Sequence, residues 1–454
     1  MHDFSRSRPL SLEDAKAYPT AAPEQLRAEV VTCANAFAAL SREWDQLLEE
    51  SGRHGYFMRW RWNFLWWKHL APAGAELRLV TCRTADGTLV GLAPLYLRNR
   101  SVFGVITVRE LLLLGTGVSL KTAEYLDVLT RAGYERTGAV SMANALKRMR
   151  DWDRLWCCRV PDDSPVIANF IGALNATATR SHFDEARYID TSRGWDAYKR
   201  SLGRSMRRNV EYYARRLFQS RSCEFKCVDS AQELDVAFDA LVALHIAQWQ
   251  SKALVGSLSN QVFGTFLRDV AHQSLADNRL RLWTLRLDGR IEAVLLGFLD
   301  GGIVHYFQKG HNPAFAKDDL GTALVSLCVR DCCDDPEIRA FDFMGGGAPY
   351  KAMWAKNTRA TTVTEASYRN ARARAFEWEQ HLHSAVTQLY RAVTPMKLRS
   401  LRRDWLKGRI LRAEFRRAGQ LVVGLMVSPW RVPDWGYELS RTVIDAGVRA
   451  TQVL

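Results

Sequence analysis

The sequence predicts a mixed α/β (α+β) protein containing two copies of one domain, and three repeated features carry that expectation. The first is a hairpin. "LRLVTCRTADGTLVGLAPLYL" (77–97) and "LRLWTLRLDGRIEAVLLGFLD" (280–300) each show an alternating apolar strand, an Asp-Gly turn and a second strand, offset by one residue at the turn. The second lies upstream, where "AFAAL" (36–40) recurs as "AFDAL" (237–241), each after a short strand pattern ("LRAEVVTC" and "CEFKCV") and at the opening of an amphipathic helix. The third lies downstream: a helix beginning near Gly138 leads to the strand "DRLWCCRV", as a helix beginning near Gly321 leads to "IRAFDFM". Repetition at a spacing of about 200 residues marks two copies of one unit.

The chain has 454 residues, of which 47% are hydrophobic, enough for sizeable cores. Its apolar runs, "ELLLLG" and "QLVVGLMV" among them, fall short of the roughly 20 residues that cross a bilayer, and the N-terminal residues have no apolar signal core. A cytoplasmic location is expected. Nine cysteines without a CxxC pair argue against a disulfide framework and a zinc ribbon, so buried thiols and no metal are expected. A formal charge of +14 points to phosphate-bearing or otherwise acidic partners through long-range attraction, without saying which.

Several segments in this order resemble tandem GNAT acyltransferases of the CelD-like kind, associated with cellulose and exopolysaccharide synthesis and distantly related to the FemAB peptidyltransferases. They are "SLGRSMRRNVEYYARRL", "LHIAQW", "YFQKGHNPAFAKDDLGTAL" and "DFMGGGAPYKAMW", with "YFMRWRWNFLWWKHL" and "AEYLDVLT" nearer the N-terminus. The resemblance covers roughly 26–368. It implies an N-terminal GNAT-like domain (26–184), expected from its single loop glycine to be non-catalytic, and a C-terminal acyltransferase domain (185–368); a tail (1–25) and a basic helical extension (369–454) lie outside it. It also implies acetyl-CoA, or another acyl-CoA, as cofactor.

In "HNPAFAKDDLGTALVSLCVR", Asn312-Pro313 signals a turn, Asp318 or Asp319 can cap a helix, and helical spacing begins at Leu320. Gly321 and Ala323 leave the first turn uncovered, so its amides and the helix dipole make a place for a pyrophosphate; a plainly capped, packed helix is the other reading. The resemblance implies a cofactor loop with Gly321, Thr322 and Ala323 at the phosphates, but Asp318 stands where the family has Arg or Gln. In the first copy the matching loop, "YERTGAVSM", keeps only Gly138.

In "DFMGGGAPYKAMW" the glycines end a strand, Pro349 suits a helix start, and Tyr350 and Trp354 share a helix face. Two readings are open. In one, Tyr350 and Trp354 are core aromatics and Lys351 is solvated. In the other, Tyr350 protonates the departing thiolate, Lys351 contacts cofactor phosphate or an anionic acceptor, and Gly345 lets the backbone approach the cofactor. Asp342 can take a proton from the nucleophile or be a structural group. His245, four residues before Trp249, is favoured by the resemblance as a site residue, with Gln248 in place of the usual arginine. Arg204, Arg207 and Arg208 lie on one broad helix face with Arg215; they are either solvated or an anion clamp for the acceptor beside Trp249.

From Arg391 to Arg417 ten cationic residues face only Asp404 and Glu414, with apolar residues at near-helical spacing. This reads as a basic amphipathic helix that lies on an anionic membrane or on RNA, or packs against the second domain. Three functions follow. The first is acyl-CoA-dependent N- or O-acyl transfer to a sugar, lipid-linked glycan or amino-sugar acceptor. The second is a FemAB-like transfer from aminoacyl-tRNA. The third is a non-catalytic scaffold in polysaccharide synthesis.

Overall fold

The computed structural model describes residues 8–9, 25–53, 55–118, 120 and 122–393. Fourteen strands form a continuous mixed sheet: β1 (Arg8–Pro9), β2 (Arg27–Val31), β3 (Glu76–Arg83), β4 (Leu89–Val102), β5 (Ile106–Leu113), β6 (Leu129–Thr130), β7 (Arg154–Pro161), β8 (Thr177–Asp190), β9 (Cys223–Cys227), β10 (Leu280–Leu287), β11 (Arg290–Asp300), β12 (Ile303–His311), β13 (Ala340–Asp342) and β14 (Asn357–Ser367). The helices are α1 (Ala34–Ala39), α2 (Ser41–Glu50), α3 (Trp60–Leu70), α4 (Thr137–Met149), α5 (Pro165–Ala173), α6 (Gly194–Ser201), α7 (Arg204–Ser220), α8 (Ala231–Gln250), α9 (Gln261–Ala276), α10 (Leu320–Asp334), α11 (Pro349–Trp354) and α12 (Ala371–Val393).

The repeat read from the sequence is a repeat of topology. β2, β3, β4 and β5 are antiparallel neighbours, and β7 joins β5 in parallel after α4. β9, β10, β11 and β12 repeat that order, and β13 joins β12 in parallel after α10. The two hairpins differ in their turns. Asp288 and Gly289, at φ 48 and 80, form a two-residue turn of left-handed residues, which matches strand twist, whereas five residues separate β3 from β4. "AFDAL" spans the second and third turns of α8 and does not open it.

The two units share strands. The expected boundary at 184/185 falls inside β8, which pairs with β14 along its length and with β13 through Tyr188, Ile189 and Asp190. β14 in turn lies between β7 of the first unit and β8. Of the basic extension, α12 begins at Ala371; the expected surface segment 391–417 lies almost wholly outside the described residues.

The aromatic segment 56–67 joins the units. Tyr56 stacks on Phe298 with ring centroids 4.4 Å apart, and Trp62 meets Phe266 edge-on at 5.1 Å. Beside these rings Asp300, 1% exposed, is gripped by Arg59 Nε at 2.6 Å, Arg279 Nη1 at 2.5 Å and the Gly55 amide at 3.0 Å. A buried carboxylate with three donors is tolerated, while its partners left alone are not. Asp300→Ala should therefore lower unfolding stability in urea by about 3–5 kcal/mol; a change within about 0.5 kcal/mol would show that the aromatic contacts alone join the units.

Candidate acyl-transfer site

β12 and β13 pair in parallel through Ile303–Ala340, Val304–Phe341 and His305–Asp342. β13 then ends while β12 continues to His311, so the two strands part after the third pair. On its other edge β12 carries an extra residue: Leu296 faces Gln308 and Gly297 faces Tyr306, leaving Phe307 as a bulge. Bulges bend a strand and break its ladder where a site needs backbone groups freed. The gap opens into a groove of about 1430 Å3 lined by α7, α8, β12, α10 and α11. That exceeds the roughly 300–1000 Å3 typical of one small ligand.

The parting is held open by a buried network. Asp342, 0% exposed, accepts from Tyr125 Oη at 2.7 Å, Arg359 Nη1 at 2.8 Å and the Met344 amide at 2.6 Å. It does not line the groove, so its expected role as proton acceptor gives way to a structural one: all its neighbours are fixed donors. Met344 takes φ 58 and Gly346 φ 114, so of the three glycines Gly346 is the one whose φ demands glycine. Gly345 lines the groove, but the space its missing side chain leaves is filled by Asp184 Oδ2 and Glu124 Oε1, and not left for a ligand.

Lys351 corrects another expectation. Its ammonium donates to the carbonyls of Phe343, Met344 and Gly345 at 2.9, 3.0 and 2.9 Å, closing the turn from below. An amine engaged three times by carbonyls anchors the turn, so contact with a phosphate does not fit its geometry. Trp354 is 4% exposed and packs on Phe343, as a core aromatic does. Tyr350 faces the groove; burial raises its pKa, and a hydrogen bond from Tyr306 opposes that rise. It is therefore a neutral phenol at neutral pH, able to give up a proton.

On the facing wall, His245 of α8 lines the groove with Nδ1 3.0 Å from the Lys309 carbonyl. A carbonyl only accepts, so Nδ1 carries the proton and Nε2 is left as acceptor, 3.5 Å from Ser257 Oγ, which also receives Gln308 Nε2 at 3.2 Å. Burial lowers the His245 pKa, keeping the ring neutral. A Cβ on Gly256 would stand 2.6 Å from Nε2, so only glycine lets the loop after α8 close over the imidazole.

At the other end of the groove α10 begins. Asp319, in left-handed conformation, caps it: its carbonyl receives the Thr322 and Ala323 amides and its carboxylate the Thr322 amide. Asp318 points away and pairs with Arg216 of α7 at 3.1 Å. Gly321 and Thr322 line the groove, and Ala323, 0% exposed, packs beneath. A Cβ on Gly321 would lie 3.0 Å from Lys309 Nζ and 3.3 Å from His311 Cε1. No hydrogen bond or ion pair holds Lys309 Nζ among the described residues, and burial lowers its pKa to about 8. Burial and the charges of Lys309 and Lys252 push His311 down to about 3, and its Nδ1 has no partner.

Among the acceptor candidates, Arg204 and Trp249 line the groove. Arg207 turns back to the carbonyls of Lys199, Arg200 and Leu202 and closes α6, and Arg208 is exposed outside the groove. Sequence reasoning missed Tyr306, Gln308 and Lys309, all in the quoted "YFQKGH", and Ser257. The one available signal was a lysine inside a strand pattern that leads into a glycine-bearing helix start. In the first unit a Cβ on Gly138 would meet Thr130 Cγ2 at 3.4 Å and Tyr134 Cβ at 3.6 Å, so its own loop packs beside the start of α4.

Residues 204–352, which contain this whole groove except part of its rim, match the family model described as an acetyltransferase (GNAT) domain. The second unit thus has a GNAT-type acyltransferase fold, and the first repeats its strand order. No curated protein matches the chain. Among solved structures it is similar to FemX (10% identity, 71% of this chain and 95% of that one, TM-score 0.48). It is also similar to a tandem GNAT protein from the clavulanic acid biosynthesis pathway (15%, 76% and 100%, 0.42). A third is the C-terminal domain of a putative lysylphosphatidylglycerol synthetase from Agrobacterium fabrum (7%, 75% and 95%, 0.44).

The grip of Lys351 on the turn makes a distinct prediction. Lys351→Met should destabilise the protein by at least about 1.5–3 kcal/mol, because buried carbonyls lose a charged donor. A variant of unchanged stability but raised KM for an acyl donor would return Lys351 to the binding residues.

Proposed function

We propose that the chain transfers an acyl group from an acyl-CoA, acetyl-CoA in the simplest case, to an amine or hydroxyl of a sugar, glycan-lipid or amino-sugar acceptor, using the second unit alone. The observation that carries this reading is the charge of the groove. Arg204, Lys252, Lys309 and Lys356 line it, beside the carbonyl-bound Lys351, with a single carboxylate, Asp319, which is occupied in capping α10. Such a lining suits a ligand bearing several phosphates. The loop lacks the family's Arg or Gln at Asp318, and Lys309, rising from the strand beneath, supplies that positive charge instead. The nature of the acceptor, and a place in polysaccharide or cell-envelope synthesis on the cytoplasmic side, rest on the sequence resemblance.

The donor supplies a thioester, whose C–S bond breaks as a C–N or C–O bond to the acceptor forms. His245 Nε2 takes the proton of the attacking amine or hydroxyl, as the neutral ring and an acceptor nitrogen held only by Ser257 Oγ allow. Tyr350 gives its proton to the departing sulfur. The α10 amides, Lys309 and His311 hold the phosphate end, and the bulge at Phe307 frees backbone groups beside the reacting carbonyl. Tyr350→Phe keeps the ring contacts and removes the proton, so kcat should fall by roughly 10²-fold with little change in stability; wild-type turnover would remove Tyr350 from the chemistry. Because the His245 pKa is depressed, the acid limb of kcat/KM should lie below the ordinary 6.5.

Binding can be tested without an acceptor. Gly321→Val places branched carbons against Lys309 and should abolish the thermal stabilisation given by acetyl-CoA, whereas Gly138→Val should retain it in folded protein. Equal losses would overturn the assignment to the second unit. Lys309 with a pKa of about 8 binds anions while protonated, so affinity for acetyl-CoA should fall as pH rises from 7 to 9, and Lys309→Met should flatten that dependence. Stabilisation by aminoacyl-tRNA alone would favour a FemAB-like reaction, and by neither ligand a scaffold.

A further inference from the structure

The groove is more apolar than phosphate binding or sugar recognition requires. Beside its cationic residues and the polar groups of β12, α10 and His245 it carries a set of apolar side chains. Elsewhere on its lining the loop after α8 presents Leu254 and Val255, α8 presents Trp249, α7 presents Met206, and α11 presents Met353. Val255 is 82% exposed and Met353 59% exposed, although both line a concave surface that is continuous with the candidate site. Single exposed apolar residues are ordinary, but several gathered on one groove mark a surface that something apolar covers.

The local backbone shows that the position of Leu254 and Val255 is built. The amides of Lys252 and Leu254 both return to the Trp249 carbonyl, at 3.1 and 2.9 Å, and the Ala253 amide returns to Gln250 at 2.8 Å. Ala253 takes φ 53, a left-handed conformation disfavoured for a residue with a side chain. The loop accepts that conformation and holds two aliphatic side chains at the groove, one almost fully in solvent. Met206, Met344 and Met353 add long unbranched thioethers, which fit a flexible partner without one fixed shape.

We propose that this part of the groove binds a linear alkyl chain of about eight carbons or more, carried either by the acyl group of the donor or by the acceptor. The proposal rests on the reading of the groove as an acyl-transfer site and narrows its substrate class to lipid-like reactants. Each methylene that leaves water can tighten binding by up to about fourfold, so the effect is large enough to read. The groove volume leaves room for such a chain beside the donor's phosphate-bearing part.

Calorimetric titration of the full chain with CoA, acetyl-CoA, octanoyl-CoA and dodecanoyl-CoA tests the donor as source. Methyl and n-octyl glucoside, below the micelle concentration and with CoA present, test the acceptor. At least tenfold tighter binding of the longer member in either series is expected, and the series that shows it names the source. The double variant Leu254→Ser, Val255→Ser should remove that preference while leaving the affinity for CoA itself unchanged, and its retained CoA binding shows that it folds. Chain-independent affinity in both series would overturn the proposal, as would a preference that survives the double variant. Binding of bare CoA separates the two readings: without it the donor assignment fails, whereas CoA binding with no chain preference defeats only this inference.

Discussion

The parting of β12 from β13 after the His305–Asp342 pair is the constraint on which the rest of the site depends. Adjacent strands normally continue their ladder, since an unpaired buried backbone group costs what a lost hydrogen bond costs. Here the exposed backbone is satisfied by other means. Asp342 takes the Met344 amide at the strand end, and Lys351 takes the three following carbonyls. Tyr125, from the first unit, and Arg359, from β14, fix the Asp342 carboxylate from either side. The V-shaped gap is thus held by residues from both units, although the groove it opens is lined by the second alone.

That arrangement gives the first unit a physical role in the site of the second. Its aromatic segment packs under β11, its Tyr125 reaches the strand end, and Glu124 occupies the space beside Gly345. At the start of its α4, Thr130 and Tyr134 pack beside Gly138. The first unit therefore braces the groove of the second, with β8 and β14 shared between them.

Much of the fold was legible in the sequence because it is written in local periodicity. The alternating hairpins, the helix starts at Gly138 and Gly321, and Pro349 at the first turn of α11 all report short-range preferences. The sharing of β14 was not legible, since strand pairing across some 180 residues leaves no local mark. In the site, His245, Tyr350, Gly321 and Arg204 were recognisable from their motifs and do meet at the groove. Lys351, Asp342 and Arg207 were left between a ligand-binding reading and a structural or solvated one for one common reason. A charged residue in a motif looks available to a ligand until its backbone partners are known, and here those partners are carbonyls and fixed donors supplied by the fold. Lys309 was overlooked for the converse reason: it sits in a strand pattern and looks structural, while the structure leaves its ammonium facing the groove.

The central claim is that a phosphate-bearing acyl donor lies in the second unit, from the start of α10 to the gap between β12 and β13. A crystal structure determined with bound acetyl-CoA measures this most directly. The pyrophosphate is expected at the amides of Leu320 and Gly321 within hydrogen-bond reach of Lys309 Nζ, with the sulfur between the parted strands near Tyr350. Density for the donor between β5 and β7, or across the Arg207–Arg208 face of α7 with the groove empty, would contradict it.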